Sequence, residues 1–112
     1  MLAPENRLRT KDFERVKKEG KLLQSENFGV IYINKKDDLP SRYGFVVSTK
    51  IAKEAVHRNR IKRALREAVR HNLSILKNGH EVIFLTKRNI IRRTTDEIMK
   101  QVREALERVK KR

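Results

Sequence analysis

The chain has no cysteine, which excludes disulfides and thiolate metal sites. No apolar run approaches the roughly 18 residues that a membrane span requires, so a membrane protein is not expected. The opening MLAPENRLRTKDF lacks the apolar centre of a secretory signal. Without such a signal, the acceptor pattern Asn72-Leu73-Ser74 carries no meaning. There is no Walker A loop and no G-x-G-x-x-G. There is also no internal repeat, linker or low-complexity tract, so residues 1-112 read as one domain. The acids are scattered (Asp12, Asp37-Asp38, Glu54, Glu67, Glu81, Asp96-Glu97), and no spacing gathers them for metal-assisted or acid–base chemistry. His57 and His71 lie about 21 Å apart along one expected helix and cannot act on one phosphate. No catalytic side chain and no metal site is expected on the protein itself.

What the chain has in excess is positive charge. Of 112 residues, 29 are Lys or Arg against 14 Asp or Glu, a net charge of +15. Self-repulsion of that size destabilises the free protein and calls for a polyanionic partner. Nucleic acid and an anionic membrane are the two candidates, and a cytoplasmic nucleic-acid-binding domain is the default.

The charge concentrates in Val56 to Arg70, VHRNRIKRALREAVR, with six cations (Arg58, Arg60, Lys62, Arg63, Arg66, Arg70) against Glu67 alone. Ile61, Ala64, Leu65, Ala68 and Val69 follow the i, i+3, i+4, i+7, i+8 spacing of an amphipathic helix. At about 100° per residue, Asn59, Lys62, Arg63, Arg66 and Arg70 fan over the side opposite the apolar stripe, and Arg58 and Arg60 flank it. Solvated helices usually mix both signs; this one does not. Arg forks match phosphate oxygens, and Asn59 among them can read a sugar or base edge or cap the backbone.

Residues 1–9 read as irregular, with Leu8 able to pack. Thr10 reads as the N-cap of a helix over 11–19 that Gly20 stops. Phe13 and Val16 mark its inner side, with Phe13 either core or a stacking platform. A strand around 21–24 is weakly marked. NFGVIYIN (27–34) and RYGFVVST (42–49) read as strands paired in an antiparallel hairpin across KKDDLPS. Phe28, Tyr32, Tyr43 and Phe45 lie on these strands, where aromatics stack on unpaired bases or, the better reading for most, pack the core. The basic helix runs to about Asn72, or as far as Leu76, and Asn78-Gly79 then ends it. HEVIFLTK (80–87) is the next strand. Its long connection to the strand at 43 implies two strands that are parallel or separated in one sheet, with a right-handed crossover as the physical default. Thr94-Thr95-Asp96-Glu97 is a capping box opening a last helix with the stripe Ile98, Val102, Ala105, Leu106 and Val109. The fold class is α+β.

An ordered set of segments resembles the bacterial ribonuclease P protein subunit family over nearly the whole chain. The set comprises Asn6-Arg7-Leu8, Asp12-Phe13, Gly20-Lys21, Gly44-Phe45-Val46-Val47-Ser48 with Lys50-Ile51, and Arg58-Asn59-Arg60-Ile61-Lys62-Arg63 with Arg66-Glu67 and Arg70. Val82-Ile83-Phe84-Leu85 with Lys87-Arg88 completes it. The resemblance implies a single α-β-β-β-α-β-α sandwich with a four-stranded sheet, like the second domain of ribosomal protein S5. Its β-α-β crossover would be left-handed, against the physical default. Catalysis would belong to a large RNA with bound Mg²⁺, which releases the 5′ leader of precursor tRNA. Ribonuclease P RNA, in a 1:1 ribonucleoprotein, and precursor tRNA are the implied partners, with no obligate protein partner.

By residue matching, the resemblance places Arg58, Asn59, Arg60, Lys62, Arg63 and Arg66, continued by Arg70, against the catalytic RNA. The leader would take a cleft between the first helix and the sheet, using Phe13, Ser48, Lys50, Lys87 and Arg88, with Lys17 and Lys53 alongside. The chain departs from the family at Lys17 and Ile31, which are usually aromatic positions, and at Ala52, usually glycine. These departures bear on base stacking and leave the charged contacts intact. A structural RNA-binding protein of ribosomal type shares the composition and lacks the ordered motif. A DNA-reading helix would need more base-reading side chains than Asn59.

Overall fold

The structure is a computed structural model that describes residues 2–112; Met1, part of the expected irregular start and of the 1-112 domain span, lies outside them. Three helices, α1 (Thr10–Glu19), α2 (Ala55–His71) and α3 (Thr95–Lys110), surround a sheet of β1 (Lys21–Gln24), β2 (Phe28–Asn34), β3 (Arg42–Val46) and β4 (His80–Thr86). Short 3₁₀ turns occupy Pro4–Asn6 and Arg88–Arg92.

The sheet order is β1-β2-β4-β3, with β1–β2 and β2–β4 antiparallel and β3–β4 parallel. The expected hairpin between residues 27–34 and 42–49 therefore does not form: β4 inserts between them. The polar segment 35–41 wraps around the entry to β4 instead. Lys35 N donates to Gly79 O at 2.8 Å, Gly79 N to Leu39 O at 2.9 Å and His80 N to Ser41 Oγ at 3.2 Å. Gly79 serves this crossing, at φ +82, and is not the stop of α2, whose last residue is His71 and whose cap is Asn72. Burying a strand on both edges satisfies its whole backbone, which a two-stranded ribbon cannot do. β3 and β4 are parallel neighbours, one of the two arrangements expected of them, and the weakly marked β1 is present.

Pleating divides the sheet residues into two sets. Phe28, Val30, Tyr32, Tyr43, Phe45, Val82 and Phe84 face α2 and α3, against Ile61, Leu65, Ala68, Val69, Ile98, Val102, Leu106 and Val109. Both expected helical stripes are buried in full. The rings of Phe28 and Phe84 meet edge to face at 5.3 Å, and Phe45 stacks on Phe84 at 5.6 Å. The opposite face carries a smaller cluster of Leu8, Val16, Ile31 and Ile83 beneath α1.

Three local expectations are corrected. Residues 2–9 offer more to bury than expected: besides Leu8, Leu2 is buried in the main core, and Leu8 N donates to Tyr43 O, so this segment covers the edge of β3. Thr10 lies inside α1, whose cap position is Arg9, with no side-chain capping bond. Gly20 is extended (φ −78, ψ 162) rather than left-handed. It is required by close approach, since a Cβ there would sit 2.6 Å from Ile31 Cγ2 and 2.7 Å from Val16 O. The capping box of α3 is present in both directions, Thr94 N to Glu97 Oε1 at 3.0 Å and Glu97 N to Thr94 Oγ1 at 3.1 Å.

Candidate nucleic-acid interface

The buried stripe of α2 turns its cations outward, but they are not equivalent. Asn59, Arg63 and Arg66 are exposed and Lys62 is half-buried. Arg70 grips Glu67 through two bonds of 2.9 and 2.8 Å, and that hydrogen bonding pulls the Glu67 carboxyl down to about 2. Arg70 is thus partly neutralised by its own helix. Arg58 and Arg60, in the first turns, donate to backbone carbonyls. Arg58 Nη1 reaches Ala52 O at 2.8 Å and Lys53 O at 2.6 Å. Arg60 reaches Ile91 O at 3.1 Å and Arg93 O at 3.3 Å. No acid occupies the first turn of α2.

Beside the start of α2 the structure forms a groove of about 530 Å³ lined by Thr49, Lys50, Ile51, Ala52, Lys53 and Arg88. Three of the residues expected at the leader, Lys50, Lys53 and Arg88, come together here from segments 35 or more positions apart in the chain. Ser48 is exposed at the base of the same loop, its carbonyl accepting from Ile51 N at 3.0 Å. Lys87 is turned away, its Nζ on Ser25 O at 2.8 Å.

Phe13 and Lys17 stand on α1. Phe13 is half-buried with its ring against Gly44, where there is no side chain. Phe13 thus packs on the sheet and keeps an exposed portion. Lys17 is exposed, 4.0 Å from Glu14. The sheet beside α1 offers aliphatic residues: Val46 and Leu85 are half-buried in one cross-strand row, and Leu22 is exposed in the next. Phe28, Tyr32, Tyr43 and Phe45 all belong to the main core on the other face. Base stacking on the cleft side of the sheet has no aromatic to use, and Ile31 lies buried under α1.

One feature that sequence reasoning missed fixes α1 over this surface. Glu81 of β4 is buried, with Arg42 Nη2 at 2.7 Å from its Oε2 and Arg15 Nη2 at 2.9 Å from its Oε1. The Glu81 hydrogen bond raises the Arg15 guanidinium further above its ordinary range. Partners 39 and 66 positions away leave no local signal. The histidines do not converge: His57 is exposed, His71 lies 3.7 Å from Glu67, and His80 Nδ1 is 3.2 Å from Asn78 O. Among the described residues no three His, Cys, Asp or Glu gather as a metal site, and no helix is long and apolar enough to cross a membrane.

A basic helix beside a basic groove is what comparison with known proteins places in context. The family model described as Ribonuclease P matches residues 2–110. The ribonuclease P protein component of Finegoldia magna is 38% identical over 96 residues, covering 86% of this chain and 79% of that protein. That of Pelotomaculum thermopropionicum is 36% identical over 104 residues, covering 93% and 88%. Among solved structures, the ribonuclease P protein of Thermotoga maritima superposes with a TM-score of 0.81 at 32% identity, over 91% of this chain and 96% of that one. The Staphylococcus aureus protein superposes with a TM-score of 0.83 at 30% identity, over 93% and 94%. A match that runs from residue 2 to residue 110, with the same sheet and helix order in relatives of similar length, has one meaning: the chain belongs to the ribonuclease P protein family.

Proposed function

We propose that this chain, a protein subunit of the ribonuclease P ribonucleoprotein, binds the catalytic RNA through α2 and holds the 5′ leader of precursor tRNA at the adjoining groove. The observation that carries the reading is the juxtaposition of two cationic surfaces at one corner of the fold. One is convex, with Asn59, Lys62, Arg63 and Arg66 on a rigid helix; the other is concave, with Lys50, Lys53 and Arg88 around about 530 Å³. A convex helix suits a folded RNA, where cations release condensed counterions from a dense phosphate array. A groove suits a single strand, whose backbone it can track. Phe13, Lys17 and Ser48 extend that track along α1 and the exit of β3.

Hydrolysis, with its Mg²⁺, belongs to the RNA in this reading. The protein contributes leader affinity and charge that substitutes for diffuse cations in the folded RNA. It works as a single domain over 1-112, in a 1:1 complex with the RNA, in the cytoplasm. The test is cleavage of precursor tRNA at low Mg²⁺ by a bacterial ribonuclease P RNA, with and without the protein. Strong stimulation, with no cleavage by the protein alone, is the expected result. Tight RNA binding without stimulation across several such RNAs would overturn the reading in favour of a structural RNA-binding role.

A further inference from the structure

The two arginines that open the basic helix are committed to loops, and those loops are the two walls of the groove. Arg58 holds the carbonyls of Ala52 and Lys53, in the wall that carries Lys50 and Lys53. Arg60 holds the carbonyls of Ile91 and Arg93, at the far end of the turn whose first residue, Arg88, forms the other wall. Cations in the first turns of a helix face the positive end of its dipole; the first turn holds no acid, and the acid beside it is Glu54 at the cap position. Carbonyl partners outside the helix supply further compensation. Arg58 reaches its two carbonyls through Nη1 alone, whereas Arg60 spreads Nη1 and Nη2 over its own two, a planar fork that an ammonium, which presents a single point, lacks.

We infer that Arg58 and Arg60 are positioning residues that set the width of the leader groove from the helix that meets the catalytic RNA. The inference rests on the leader reading given above. Its consequence is mechanical coupling: α2 seated on RNA carries both groove walls with it, so leader grip depends on the helix and not only on the lysines and arginine that line the groove. Phosphate contact with the RNA falls to Lys62, Arg63 and Arg66.

The experiment is a double-mutant cycle in the reconstituted ribonucleoprotein with Arg60→Ala, Arg88→Ala and the pair, reading the ratio of precursor to mature tRNA affinity. Each single variant is expected to lower that ratio roughly fivefold, the value of about one hydrogen-bonded contact. The pair is expected to lower it no further than the larger single loss, since both act on one wall. Arg60→Lys, which keeps the charge and loses the fork, should lower the ratio while leaving the salt dependence of binding to the catalytic RNA unchanged. Multiplying losses in the pair would overturn the inference, as would an unchanged ratio in Arg60→Ala. A salt slope flattened by about one unit in Arg60→Ala and restored by Arg60→Lys would make Arg60 a phosphate contact and overturn it too. An unchanged ratio in Arg88→Ala would refute the leader reading itself and this inference with it. A lowered ratio in Arg88→Ala with additive effects refutes the inference alone.

Discussion

Arg42 and Glu81 stand in register on adjacent parallel strands, with Nη2 2.7 Å from Oε2, and the same carboxylate reaches across to Arg15 of α1. One buried acid thus ties the edge strand and the overlying helix to the strand between β2 and β3. The geometry of the surface under α1 depends on that tie.

Glu81→Gln should therefore be costly. It leaves two part-exposed guanidiniums facing a neutral amide, and losing hydrogen bonds to a charged group on this scale costs about 1.5–3 kcal/mol. Urea unfolding should show a lower midpoint with an unchanged denaturant slope. A shift worth less than about 1 kcal/mol would mean that Arg15 and Arg42 are solvated well enough to do without the carboxylate.

Gly44→Ala tests the seat of Phe13. A methyl group there occupies the place of the Phe13 ring, so either the ring swings out or α1 lifts. Overpacking of this kind costs about 1–3 kcal/mol. Quenching of a dye placed on α1 should change with it. No loss of stability would show that Phe13 has room to leave at no cost, and so a free rather than a packed role.

What was legible in the sequence follows a physical boundary. The α2 and α3 stripes and the Thr94–Glu97 capping box are set by residues three to eight positions apart, and all were read correctly. The position of β4 between β2 and β3 depends on which edge pairs over more than 30 residues, and local turn chemistry at 35–41 suggested a hairpin instead. Gly20 and Gly44 looked like turn or strand glycines because close approach has no sequence pattern of its own. The cations of α2 were all legible as charge, but only the structure separates Arg58 and Arg60, spent on carbonyls, and Arg70, spent on Glu67, from Arg63 and Arg66.

Acid should weaken the fold. Arg70 holds Glu67 at about 2, below the ordinary 4.5, and hydrogen bonds from Thr94 hold Glu97 below its ordinary value. A carboxyl depressed in the folded state stabilises above its unfolded pKa, and that stability is lost as pH falls through the folded value. Stability should therefore decline from about pH 5 toward pH 2. Thr94→Ala should cost about 1 kcal/mol at pH 7 through loss of the cap, and Glu97→Gln, which removes the titrating group held by the Thr94 N–H, should reduce the acid sensitivity. An acid profile of Glu97→Gln identical to that of the parent protein would show that the Glu97 carboxyl contributes none of it.

Salt dependence should rank the arginines of α2. Arg63→Ala and Arg66→Ala should each flatten the slope of log affinity for the catalytic RNA against log salt by about one unit. Arg70→Ala should flatten it less, because Glu67 already neutralises part of its charge. Equal slopes in all three variants and the parent would remove this face from the RNA contact.

Lys50 and Lys87 separate leader binding from loop support. Lys50 lines the groove and is exposed. Lys50→Ala should lower precursor affinity by up to about tenfold, the scale of one charged hydrogen bond, and leave mature tRNA binding unchanged. Lys87 holds the Ser25 carbonyl at 2.8 Å, while its own N–H donates to Asn27 O. Asn27 is buried, with Gln101 of α3 and Arg93 as side-chain partners. Lys87→Ala should accordingly lower the unfolding midpoint, which Lys50→Ala should not. Equal loss of precursor and mature binding in Lys50→Ala would place Lys50 against the tRNA body or the catalytic RNA. Loss confined to precursor in both variants, with Lys87→Ala as stable as the parent, would mean that Lys87 leaves Ser25 to take the leader.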